Sequence, residues 1–95
     1  MKIEWSPEAI EDLAALREYV SQDNPAAAER VVLHILRDVD VLLADSPQMG
    51  RPGRTPGTRE LVVPGTSYIV PYRIKDEVVQ VIRVYHSARR WPEQF

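Results

Sequence analysis

The 95-residue chain contains no cysteine, so it can build neither a disulfide framework nor a thiolate metal site, and packing must supply its stability. It also lacks any apolar run approaching the ~18 residues that span a bilayer, and its opening residues, Met1 to Glu8, hold no continuous apolar stretch of signal-peptide type. A cytoplasmic protein with no membrane partner is expected. There is no internal repeat, linker or low-complexity tract, so a single domain over residues 1–95 with one hydrophobic core is expected. Nothing in the residues calls for a cofactor or a metal.

What the chain does have is a split of charge. Its net charge is only −2, but residues 1–45 set four basic groups against ten carboxylates, whereas residues 46–95 set eight arginines and lysines against four. A front half near −6 and a rear half near +4 suit a protein that offers a cationic surface to nucleic acid or to an acidic protein.

Met1 to Trp5 alternates apolar and polar residues and reads as a strand. Ser6-Pro7-Glu8 is a helix start, and Ile10, Leu13, Leu16 and Val20 recur at helical spacing to about Gln22. Asn24-Pro25 repeats the signal ahead of a wide stripe, Ala28, Val32, Ile35, Leu36, Val39, Leu42 and Leu43, that ends before Ser46-Pro47. Two helices so closely joined form an antiparallel hairpin. Gln48 to Gly57, with three glycines and two prolines, reads as a basic loop.

Three strands follow: Leu61 to Val63, Tyr68 to Lys75, and Val78 to His86, with tight turns at Pro64-Gly65 and Asp76-Glu77. Pro71 cannot donate to a ladder, so its strand needs either an unpaired edge there or a bulge. Simple alternation along the last strand puts Val79, Val81, Arg83 and Tyr85 on one side and Gln80, Ile82, Val84 and His86 on the other. The expectation is an α+β fold of order βααβββ, an antiparallel sheet covered on one face by a helical hairpin. Arg73, Lys75, Arg83 and the loop arginines are then candidates to line the other face.

The chemistry concentrates at the end, in His86-Ser87-Ala88-Arg89-Arg90-Trp91, which sets an imidazole, two guanidiniums and an indole together. His34, between Arg30 and Arg37, reads as solvated surface, and Trp5 as core or strand cover. Trp91 and Phe95 are candidate protein anchors, Trp91 equally a cover for the sheet.

Ser6 to Leu13, Asn24-Pro25, Met49-Gly50-Arg51-Pro52, Gly57 to Leu61, Tyr68 to Arg73 and Arg83 to Trp91, taken in order, resemble the RelE/ParE toxins of bacterial type II toxin–antitoxin systems. The resemblance implies a cognate antitoxin in a hetero-oligomer and one of two activities. RelE-like members cut messenger RNA on the ribosome, and ParE-like members inhibit DNA gyrase. RNA cleavage needs a group to orient or deprotonate the 2′-hydroxyl, an acid for the leaving oxygen, and cations on the phosphate. Where RelE carries basic residues this chain has Glu60, Val62 and Ile69, and no tyrosine follows Tyr85. The resemblance therefore implies a ParE-like, non-catalytic inhibitor of gyrase, with Arg51, Arg54, Arg59, Arg73, Arg83, Arg89, Arg90 and Trp91 as partner-binding candidates. The alternative is a ribonuclease using His86 as base with Arg83, Arg89 or Arg90 on the phosphate. A third reading is a non-toxic relic that keeps only the antitoxin contact.

Overall fold

Local chemistry decides where each helix begins. In the computed structural model, which describes residues 1–88, Ser6 accepts the Ala9 N–H on its Oγ at 3.0 Å and Pro7 opens helix α1, Pro7–Ser21. Asn24 does the same for the Ala27 N–H at 3.1 Å, and Pro25 opens α2, Pro25–Asp45. Each proline sits where its missing N–H costs no helical bond. Leu13 and Leu16 of α1 and Ile35, Val39 and Leu43 of α2 turn inward, and the expected hairpin is present.

The strands are β1 (Lys2–Trp5), β2 (Arg51–Pro52), β3 (Arg59–Val62), β4 (Tyr68–Lys75), β5 (Val78–Val81) and β6 (Tyr85–His86). They form one sheet of order β1-β5-β4-β3-β2, with β6 also against β4. The expected α+β architecture is there. The sheet is antiparallel except that β1 runs parallel to β5, which makes it mixed. The residues read as a structureless loop contain the short strand β2, paired to β3 through Arg51 and Glu60. The third strand begins at Arg59, two residues earlier than its apolar run, because that pairing extends it.

Register assigns the faces. Tyr72 and Ile74 of β4 lie opposite Val81 and Val79, and Val70 lies opposite Leu61. These side chains meet the helices in the core, where Trp5 and Ile3 pack at the margin. Arg73 and Lys75, opposite Gln80 and Val78, point to the rear and are exposed. The rear is not open throughout: Ile69, Pro71 and Tyr85 on it are buried.

The final strand departs from simple alternation. Tyr72 pairs with Val81, but Ile69 pairs with Tyr85, so three residues, Ile82 to Val84, stand opposite two, Val70 and Pro71. This is a β-bulge, one of the two solutions Pro71 requires. Past it the faces exchange: Tyr85 goes to the rear and His86 to the helix side, the reverse of the alternation read from sequence. Arg83 does not join Arg73 on the rear but turns to α1. Among the described residues, no helix is long and apolar enough to cross a membrane.

Candidate functional site

Asp12, Ala15 and Tyr19 recur at i, i+3 and i+7 along α1 and so share one flank of the helix. That flank faces the start of β4 and the strand end after the bulge, leaving a cleft of about 520 Å³ between Asp12, Ala15, Tyr19, Tyr68, Val84 and His86. The Tyr68 and His86 rings meet edge to face, 5.4 Å between centroids and 88° between planes. The backbone N–H of Ala88 donates to His86 Nδ1 at 3.1 Å, so a neutral imidazole carries its hydrogen on Nε2. Burial raises the Tyr68 pKa above its ordinary value, and Tyr19 adds to the rise, so the Tyr68 phenol remains a neutral hydrogen-bonding group at physiological pH.

Asp12 forms the wall of this cleft. Arg83 donates to it twice, from Nε to Oδ2 at 2.7 Å and from Nη2 to Oδ1 at 2.9 Å, and the Val84 N–H donates to Oδ2 at 2.9 Å. A forked pair of this kind is the strongest sort of ion-pair geometry. The hydrogen bond to Asp12 raises the Arg83 pKa above its usual value, against an opposing effect of burial. The guanidinium also lies over the Tyr85 ring at 4.9 Å. What the cleft offers is two phenols, an imidazole and an apolar floor, with its carboxylate already neutralised. That is a surface for recognition.

The loop arginines have a different setting. Glu60, only 3% exposed, receives Arg51 at 3.1 and 3.2 Å, the Arg54 backbone N–H at 2.9 Å and the Arg54 guanidinium at 3.7 Å. Arg59 donates to the carbonyls of Gln48 and Gly50 at 3.0 and 2.9 Å. These three arginines therefore hold the loop on the sheet edge, and Arg51 and Arg54 keep about half of their side-chain surface in water. Arg73 and Lys75 are exposed and make no ion pair among the described residues. Arg89, Arg90, Trp91 and Phe95 lie outside the described residues.

The structure thus brings His86 and Arg83 to one strand end, separates both from Arg73, and groups Arg51, Arg54 and Arg59 around the loop. Sequence reasoning missed Asp12, Tyr19 and Tyr68 as cleft residues. The one available signal was the position of Asp12 beside the inward Leu13 and four residues before Leu16, where a charge would sit at the core margin. His34 is exposed as expected, but it is not merely solvated. Its Nε2 lies 2.7 Å from the Pro64 carbonyl and 3.2 Å from Asp38, which ties the turn between β3 and β4 to α2.

The fold recurs in toxin–antitoxin complexes. The chain superimposes on a chain of the chromosomal ParDE system of Pseudomonas aeruginosa with a TM-score of 0.80 at 28% identity, covering 90% of this chain and 95% of that one. With the RelBE2 toxin–antitoxin complex of Mycobacterium tuberculosis the TM-score is 0.68 at 28% identity, over the same shares. The family model describing the ParE toxin of the parDE type II toxin–antitoxin system matches residues 3–91. The chain belongs to that family, within the RelE/ParE superfamily of toxins. It is 42% identical to Y4kP of Sinorhizobium fredii over 92 residues, spanning 97% of this chain and 94% of that protein. It is 38% identical to toxin RelE2 of Caulobacter vibrioides over 88 residues, spanning 93% and 97%.

Proposed function

We propose that this toxin arrests growth by binding DNA gyrase in the cytoplasm, without breaking a phosphodiester itself, and that a cognate antitoxin silences it. The observation that carries this reading is the commitment of Arg83. A ribonuclease built on His86 needs an unengaged cation beside it to hold a phosphate as charge develops. Arg83, the nearest described cation in sequence, gives two donors to Asp12 instead. The positions of β3 and β4 where RelE carries basic residues add none, since Glu60 is clasped by arginines, Val62 is apolar and Ile69 is apolar and buried.

The antitoxin half rests on the match to a toxin–antitoxin family and on apolar side chains left on the outer helix surfaces: Ile10, Leu33 and Val41 are each about half exposed or more. An antitoxin segment that folds onto the hairpin would cover them.

The test is paired. Purified toxin is titrated into a gyrase supercoiling assay, and messenger RNA ends are mapped after its induction in cells. Inhibited supercoiling with unchanged transcript ends is expected. New ends within translated codons, with supercoiling untouched, would replace this reading with the ribonuclease one, and neither effect would leave the relic.

A further inference from the structure

The bulge between β5 and β6 decides which residues reach the cleft. Continued without a break, the register of Tyr72 with Val81 would set Pro71 against Ile82, Val70 against Arg83 and Tyr68 against Tyr85. Arg83 would then point into the core and His86 to the rear face. A one-residue slip moves every later side chain to the opposite face. Here the extra residue keeps Val84 in the core cluster, only 3% exposed, and gives His86 to the helix side.

Three residues hold the bulge. Pro71 accepts the Ile82 N–H on its carbonyl at 2.9 Å but has no N–H to return. The Ile82 carbonyl is taken instead by Ser6 Oγ at 2.7 Å. Those two contacts explain why regular pairing stops; neither acts beyond Ile82. The residues after it are fastened by Asp12, which receives the Arg83 side chain twice and the Val84 N–H once while only 10% of its own side chain is exposed.

We propose that Asp12 is a positioning residue: its carboxylate selects the bulged register and thereby assigns His86 to the cleft beside Tyr68. The carboxylate suits this task because it alone accepts from a guanidinium fork and a backbone N–H together. The functional half of the proposal, that this placement serves the toxin's recognition of its target, rests on the toxin reading above. The register half does not.

The experiment uses the full-length chain as wild type, Asp12→Ala and Asp12→Asn, with NMR contacts read at two places. Tyr72 to Val81 reports the register before the bulge, and Tyr68 to His86 the register after it. In Asp12→Ala the first contact persists and the second is lost, and growth arrest on induction weakens by roughly tenfold or more. Asp12→Asn, which keeps the volume and one acceptor oxygen, moves the His86 signals only part of the way and restores part of the arrest. An intact Tyr68–His86 contact in Asp12→Ala overturns the proposal, because Pro71 and Ser6 would then suffice. A lost contact with full arrest overturns its functional half. Should Asp12→Ala fail to fold, Asp12→Asn decides, with unmoved His86 signals counting against the proposal and displaced ones for it.

Discussion

Tyr72 joins the loop to the sheet through a single hydroxyl. Fully buried, it accepts the Gly50 N–H at 2.9 Å and donates to the Pro47 carbonyl at 2.7 Å. Gly50 is obligatory in this contact, since a Cβ there would lie 2.5 Å from the hydroxyl oxygen. Tyr72→Phe leaves a buried donor and a part-buried acceptor unpaired, and should cost about 2 kcal/mol in urea unfolding. A second expectation concerns pH. Burial raises the Tyr72 pKa above the ordinary 10.0, against smaller lowering effects of the Gly50 hydrogen bond and Arg59. The folded state therefore holds its proton longer than the unfolded one. The resulting stability is complete below about pH 10 and is lost as pH rises through the folded pKa. Tyr68 shifts in the same direction and remains in the variant. The stability gap between wild type and Tyr72→Phe should thus narrow as pH rises above about 10, with Tyr68 common to both; a constant gap would refute the assignment.

The elements were legible from sequence to differing depths, and the difference follows what holds each one. Both helices start where a polar cap and a proline adjoin, and their ends fall within a residue or two of those expected, because these signals are local. The caps are nonetheless unequal. Asn24 serves only its helix, so Asn24→Ala should cost about 1 kcal/mol. Ser6 also donates to the Ile82 carbonyl, and Ser6→Ala should cost about 2–3 kcal/mol by thermal or urea unfolding. Equal costs would mean that the carbonyl finds another donor. The β4–β5 turn was also foreseen, but not its strain: Asp76 and Glu77 hold φ of 54° and 62°, a conformation that favours glycine. Glu77→Gly should raise stability by about 0.5 kcal/mol, the relief of left-handed strain exceeding the added freedom of the unfolded chain. The bulge was legible only as a difficulty at Pro71. The exchange of faces beyond it depends on Asp12, more than seventy positions away in sequence, and no alternation of residues encodes such a contact.

Across the whole molecule, the charge split becomes a division of layers. The acidic half supplies the helices, the basic half most of the sheet and its edge loop, and the core lies between them. Counting arginines overstates the cationic surface, however. Arg83 is turned to Asp12, Arg51 and Arg54 surround Glu60, and Arg59 is bonded to loop carbonyls. Among the described residues, the uncompensated charge of the rear face lies on Arg73 and Lys75, adjacent on β4 and pointing the same way. If that face meets an acidic partner, reversing these two charges should act on association and not on folding. Arg73→Glu with Lys75→Glu should change unfolding stability by no more than about 0.5 kcal/mol, as exposed substitutions do. Growth arrest should fall, and binding to the proposed target, gyrase, should weaken most at low ionic strength, where the Debye length is long. Arg83→Ala provides the contrast: it strands a carboxylate that is nine-tenths buried, so it should lower stability by about 3 kcal/mol while leaving both rear-face charges in place. A doubly reversed protein that binds with wild-type affinity at every salt concentration would remove the rear face from target recognition and leave the cleft beside α1 as the surface to probe.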